Sequence, residues 1–415
     1  MNLLPKKRYR LNVSIDLLLL MLIATSFFDM TVLNWLFKDE GTFFVYLLAL
    51  VFVYIRNMGL QVRFGIARKM KPLMWILIGA LISFIPAYLY YGQHLYHSIV
   101  VYRNFFGYFA LVVLLSIRPS HLEIKRALYA FAFIYFVVML YVSFVNPAFV
   151  LSDPDKDFIA EGDIVHYMQG AEYLVLALIY ALDEFRRNKV GVQSILQVVF
   201  LFLAIFLIQN RTILFASMLV SLLAALSVHS PNRRLTREFI VGFLLLALFA
   251  LAHQYITHLV EETLTDLNNP EYNRVKAFNY FFSGENGFMS FIWGNGFISG
   301  SVNSLMGDLR MEGIFHSDLG LIGFWNQFGI IPVIVIFYLI ISGLNKKHSY
   351  VVRANALFVL CSVMTIAYFR NFVYSLWLCY FMYLSATDAE YEKAMKESEM
   401  KTVRRLFRRY RSLIN

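Results

Sequence analysis

Asn273-Arg274-Val275-Lys276-Ala277-Phe278-Asn279-Tyr280-Phe281-Phe282, Trp293-Gly294-Asn295-Gly296-Phe297 and His316-Ser317-Asp318 are the landmarks of one long polar segment, Tyr255 to Gly329. The segment enters from one hydrophobic run and feeds into another. A connection of this length is uncommon unless it is functional or disordered. Its aromatic residues and paired glycines argue against disorder. It therefore reads as the working part of the chain, and the remainder as its frame.

The frame reads as membrane. The chain has 415 residues, of which 59% are hydrophobic and 15% charged, and its mean hydropathy is +0.61. Apolar runs of about 20 residues, the length a helix needs to cross a bilayer, recur from end to end. Backbone groups in lipid must be satisfied within the segment, so these runs are expected to be helices. The reading is an all-α polytopic membrane protein with about twelve transmembrane helices. They lie near residues 14–34, 42–56, 72–91, 98–117, 126–146, 167–183, 193–208, 211–229, 238–256, 318–342, 354–369 and 372–387. The chain then divides into helices one to nine (1–256), a large loop between helices nine and ten (257–317), helices ten to twelve (318–387) and a basic tail (388–415). Residues 193–229 are long enough for one overlong helix, and the break is placed at Gln209-Asn210. The basic start Lys6-Lys7-Arg8 has no small-residue cleavage site after it and reads as the flank of an uncleaved first helix. The two cysteines, Cys361 and Cys379, lie in apolar runs and make neither a disulfide framework nor a metal spacing.

Charge orients the spans, because Lys and Arg favour cytoplasmic loops. With both termini inside, only eight of the 37 Lys and Arg stay outside: Lys38, Arg103, Lys156, Arg211, Arg274, Lys276, Arg310 and Arg370. The outer loops are acidic instead, as in Asp153, Asp155, Asp157, Glu161 and Asp163. The net charge of +10 is then a cytoplasmic skirt facing membrane lipids. The tail, with Arg404, Arg405, Arg408, Arg409 and Arg411, reads as a basic helix along anionic headgroups, and nucleic acid is a poor second explanation.

A basic residue kept on the disfavoured side needs another reason, and binding an anion is the simplest. Guanidinium offers a planar, permanently charged fork suited to phosphate oxygens. Arg211 follows the turn between helices seven and eight, and Arg274 and Arg310 lie in the large loop. Arg103 and Arg370 lie near helix ends, where snorkelling to the interface is an equal alternative. Arg310, beside Asp308 and Glu312, has a surface ion pair as its alternative. His316 stands where the loop re-enters the membrane and is suited to proton exchange near neutral pH. The alternative is a helix capped by Ser317 or Asp318 with an incidental histidine beside it. Glu172, an ionisable group inside a span, is expected to face the bundle interior. Gly294 and Gly296 permit a sharp turn and close backbone approach to a ligand, or an ordinary turn. No metal-binding or P-loop motif is present, and the acidic cluster reads as a solvated loop.

Taken in order, these residues resemble the O-antigen polymerase and O-antigen ligase superfamily of bacterial envelope glycosyltransferases. Gln209-Asn210-Arg211-Thr212 resembles the family's Ser-Arg-Thr-type segment. Arg274, the aromatics Phe278, Tyr280 and Phe281, and Trp293 to Phe297 resemble its Arg…aromatic…Gly-x-Gly stretch. His316-Ser317-Asp318 with Gly329-Ile330-Ile331-Pro332 resembles the loop-end His motif. His316 to Gly329 encloses twelve residues, longer than the ligase spacing, and Arg274 is followed by Phe278 rather than completing Arg-x-x-x-Leu. Both departures favour the polymerase.

The resemblance implies a GT-C-like fold in a bacterial inner membrane. It implies transfer of a glycan from polyprenyl diphosphate to an acceptor sugar hydroxyl at the outer face, with no metal or other cofactor. Arg211 and Arg274 would hold the diphosphate and His316 would orient or deprotonate the acceptor. Arg310 and Arg370 would help hold the anionic substrate, with Arg103, Glu172, Gly294 and Gly296 as further binding positions. A flippase and a chain-length regulator are the implied partners, and O-antigen, capsule and exopolysaccharide are all open as products. The rivals are a ligase acting on lipid A core, a polysaccharide or lipid-oligosaccharide transporter, and an assembly protein with an external loop.

Overall fold

A computed structural model describes residues 11–29, 33, 41–57, 69–144, 169–187, 192–208, 210–227, 242, 273–282, 288–297, 319–363 and 372–414. Every regular element among them is helical. The helices are α1 (Leu11–Ala24), α2 (Gly41–Arg56), α3 (Lys71–Ile82), α4 (Phe84–Tyr91), α5 (Leu95–Val101), α6 (Ala110–Ile117), α7 (His121–Phe144) and α8 (Ala171–Arg187). They continue as α9 (Val192–Ile208), α10 (Arg211–Leu226), α11 (Asn273–Phe282), α12 (Phe288–Trp293), α13 (Gly320–Phe328), α14 (Ile330–Leu344), α15 (Tyr350–Ser362) and α16 (Phe372–Ile414). Three segments, Lys71–Tyr91, Leu95–Ile117 and His121–Val142, are long and apolar enough to cross a membrane, and six shorter helices are apolar. Leu48, Leu89, Phe133, Leu226 and Ile341 are between 62% and 76% exposed, an outer surface suited to lipid rather than water. The chain is an all-α membrane protein.

Local signals explain many of the helix ends. Pro72 sits in the first turn of α3, where its missing N–H costs nothing. Ser120 and Glu123 form a reciprocal capping box at the start of α7, with Ser120 N donating to Glu123 Oε2 at 2.6 Å. Asn210 caps α10 by accepting from Ile213 N at 3.1 Å, at the break expected for Gln209-Asn210. Helix α8 is the centre. Its residues from Ala171 to Asp183 are all buried, and α7, α9, α10 and α15 pack around it.

Two ends of the bundle can be told apart by chemistry. At one end, Asp183 is buried and accepts from Arg186 at 2.8 Å, Arg187 at 2.9 Å and the Tyr391 hydroxyl at 2.6 Å. Burial disfavours the Arg187 charge, but Asp183 and Glu392 outweigh it and hold its pKa above the ordinary arginine value. The same end carries the Lys125–Glu184 and Asp16–Arg56 pairs, at 2.5 and 2.8 Å. We call it the basic end. Arg186 also donates to the Ser227 carbonyl at 3.1 Å. The far end of α10 is thereby returned to the level of the end of α8, so α9 and α10 traverse the bundle twice and leave Asn210 at the opposite end.

Several expected spans differ in form. The first ends at Ala24, because Ser26, Phe27 and Phe28 take left-handed φ values of 48°, 50° and 64°. The fourth is interrupted by a 3₁₀ stretch, Tyr102–Phe109. Three residues per turn align Tyr102, Phe105 and Tyr108 in one buried row, with successive ring centroids 5.6 and 5.7 Å apart. The tenth is not continuous over 318–342: it breaks at Gly329 into α13 and α14. The basic tail is helical, as expected, and is continuous with the last span in α16, whose 43 residues reach about 64 Å, roughly twice a bilayer core. The ninth span, apart from Gly242, lies outside the described residues, as does most of the large loop.

Candidate functional site at the glycine-turn end

The end opposite the basic one is built around the break at Gly329. A helix leaves its last carbonyls without partners, and those of α13 are capped from the polar segment. Asn295 N donates to Asn326 O at 2.7 Å and Gly296 N to Gln327 O at 3.0 Å. For its amides to point this way the turn needs positive φ at Gly294 (77°) and Gly296 (82°). A Cβ on Gly294 would lie 2.6 Å from Gly329 N, and one on Gly296 would lie 2.7 Å from Ala87 N. The close approach expected of these glycines is thus made to the chain's own backbone.

Side chains hold the turn from both flanks. Buried Gln93 donates to the Phe297 carbonyl at 3.0 Å and to Ser98 Oγ at 2.9 Å. Tyr102 of the 3₁₀ stretch bonds to Ser83 and packs edge-on to Phe297 and Phe328, with centroids 6.0 and 5.4 Å apart. Trp325 Nε1 donates to Phe291 O at 2.9 Å, tying α12 to α13.

Helix α11 seats on the same platform. Ala277 and Phe281 are buried against Leu319, and Asn326 Nδ2 donates to the Phe281 carbonyl at 3.1 Å. Arg274 shares the face of Ala277 and Phe281, about 10 Å up the helix, and is exposed. The platform therefore presents a cation above the broken helix without burying it.

No family model matches this chain, and no curated protein does.

The other candidate residues fall as follows. Arg103 adjoins Tyr102 in the 3₁₀ stretch and is half-buried. Glu172 is buried in the first turn of α8, where the helix dipole favours a carboxylate. Arg211 opens α10 just after its Asn210 cap. Helix α10 is tied to α15 by Tyr350 Oη donating to Val220 O at 3.0 Å, and the other end of α15 takes Leu321 N on its Val363 carbonyl at 2.7 Å. The start of α10, the start of α8 and the glycine turn therefore share one end of the bundle. His316, Arg310 and Arg370 lie outside the described residues. Among the described residues, no group of three His, Cys, Asp or Glu is placed to hold a metal ion.

Two residues at the centre were not singled out in the sequence, Asn326 and Gln327. Gln327 is fully buried, and among the described residues neither its Oε1 nor its Nε2 has a hydrogen-bond partner. An unsatisfied buried amide costs on the order of 1–3 kcal/mol, and such a group calls for an explanation in strain, function or an ordered water. The sequence signal is the polar pair itself, Asn326-Gln327, inside an apolar re-entry run that stops at Gly329. Gln327→Met keeps the length and removes both orphan atoms. It is expected to raise the thermal midpoint in detergent, and an unchanged or lower midpoint would mean that Gln327 is satisfied in the folded protein.

Proposed function

We propose that this chain is a polymerase of lipid-linked oligosaccharide repeat units in a bacterial inner membrane. In this reading it has twelve spans, both termini cytoplasmic, and the polar segment 257–317 at the outer face. The observation that carries the reading is the exposed Arg274, held over a broken helix at the end of the bundle opposite the ion-paired basic cluster. The positive-inside rule makes the basic end cytoplasmic and the glycine-turn end external.

The reaction asks little of the protein beyond charge stabilisation and positioning. The acceptor hydroxyl oxygen attacks the anomeric carbon of the donor. The bond from that carbon to the diphosphate oxygen breaks, and the polyprenyl diphosphate leaves with the electron pair. The hydroxyl proton passes to His316. Arg274 and Arg211 offset the charge that grows on the leaving group, and Arg310, Arg370 and Arg103 hold the anionic donor.

One observation favours a second reading. Broken helices with buried polar groups are a transporter feature, and the Gly329 break with its orphan Gln327 fits a carrier of lipid-linked oligosaccharide. The two readings differ in what accumulates. Cells lacking a polymerase collect single repeat units on lipid at the outer face, whereas cells lacking a transporter collect them inside. Orientation is tested by thiol labelling in a Cys361→Ala background. Tyr280→Cys should react with an impermeant reagent in intact cells, and Lys347→Cys only after permeabilisation. The reverse pattern would end the outer-face reading.

A further inference from the structure

At the basic end, a cavity of about 510 Å³ opens between the ends of α8, α14 and α15 and the side of α16. Arg186, Arg187, Lys346, Lys347 and Arg353 supply its positive charge, and Asp388 and Glu392 the negative. Both carboxylates have partners, although Asp388 Oδ1 is left without one among the described residues. Asp388 accepts from Ser349 N at 3.0 Å and lies 2.9 Å from His348 Nδ1, while Glu392 pairs with Arg187 at 2.6 Å. Asp183, behind the wall, takes Arg186 and Arg187. That leaves Lys346, Lys347 and Arg353 without a carboxylate within 4.0 Å among the described residues. Arg353 Nε is moreover buried with no hydrogen-bond partner among the described residues. The wall also contains the start of α15, capped by Ser349, whose helix dipole adds to the positive field.

We infer that this cavity binds one phosphate-bearing anion. Five cations face three carboxylates, Asp183, Asp388 and Glu392, so the concave site keeps a surplus of two positive charges, which an entering anion offsets. A phosphate has both the charge and the several acceptor oxygens needed to engage a guanidinium and two ammonium groups together. Basic pockets between helices at a cytoplasmic membrane surface suit phospholipid headgroups, and a free phosphate ester offers the same chemistry. The site lies at the far end of the bundle from Arg274, so its anion chemistry is independent of the polymerase reading, and only its cytoplasmic side rests on that reading.

The test is native mass spectrometry of the full chain in detergent, titrated with phosphatidylglycerol, phosphatidylcholine or glycerol 3-phosphate. Wild type should retain one phosphatidylglycerol and no comparable phosphatidylcholine. Each cation near a membrane surface contributes about fivefold to anionic-lipid affinity, so the Lys346→Gln/Lys347→Gln variant should bind roughly thirty-fold more weakly. Both lysines are exposed, so this variant should keep its thermal midpoint. Arg353→Gln should weaken binding independently. Competition by glycerol 3-phosphate would assign the site to a soluble phosphate ester, and its absence to a lipid headgroup. Equal affinity in wild type and both variants, or equal retention of phosphatidylcholine, would overturn the site.

Discussion

Gly329→Ala should leave almost no folded protein, whereas Gly92→Ala should leave nearly all of it. Both glycines have positive φ, 76° and 62°, but they differ in two respects. Gly329 has ψ of −175°, a combination essentially confined to glycine, and Gly92 sits in the ordinary left-handed well at ψ 18°. A Cβ on Gly92 would meet nothing within 4 Å, so the cost there is about 1 kcal/mol of backbone strain. A Cβ on Gly329 would run into the Ile292 carbonyl oxygen and lie 2.8 Å from the Trp293 carbonyl carbon. Those atoms belong to backbone and cannot rotate away. Relief would require the turn to move off α13, and its two amides would then no longer cap Asn326 O and Gln327 O. Strain of about 1–3 kcal/mol, overpacking of about 1–3 kcal/mol and two uncapped buried carbonyls together rival the whole stability of a typical domain. Size-exclusion profiles of detergent extracts read this directly. A monodisperse Gly329→Ala protein melting with wild type would mean that the turn does not lock the break.

These residues mark what a sequence can and cannot disclose in a chain like this. Asn210 is legible because a capping side chain acts within three residues of itself. The Arg186, Arg187 and Asp183 cluster is legible on the same terms, since spacings of three and four share a helix face. Gly294 and Gly296 announce positive φ, but nothing in a linear string tells which backbone will approach them. Ala87 and Gln327, far away in the chain, do so. Hydropathy tracks burial and is blind to continuity. The run from Leu319 to Ile341 therefore reads as one span although Gly329 breaks it, and Asn326-Gln327 vanishes into its average. The 3₁₀ stretch at Tyr102 is hidden for a related reason, because a row of aromatics every third residue also fits a helical stripe. The ion pairs at Asp16, Asp183 and Glu184 gather at one end of the bundle, where spacing along single helices shows only part of each pairing.

Arg274→Ala should reduce chain extension at least a hundredfold while the protein inserts, folds and melts as wild type does. The separation of effects follows from where Arg274 stands. Alanine is the best helix former, so α11 loses nothing locally. The contacts that dock α11 are those of Ala277, Phe281 and Asn326, none of which involves the guanidinium. Its exposed side chain costs no burial to remove. Removing one preorganised group that stabilises developing charge typically lowers turnover by about 10²–10³, and a departing diphosphate concentrates its charge where such a group acts. Arg274→Lys should fall between the two, keeping the positive charge and losing the fork that engages two oxygens at once. The measurement is the ladder of products from purified protein and a polyprenyl-diphosphate-linked repeat unit, with melting followed in parallel. A ladder of normal length and rate from Arg274→Ala would remove the cation from the chemistry. The seat of α11 on the broken helix would then be better read as the gate of a carrier.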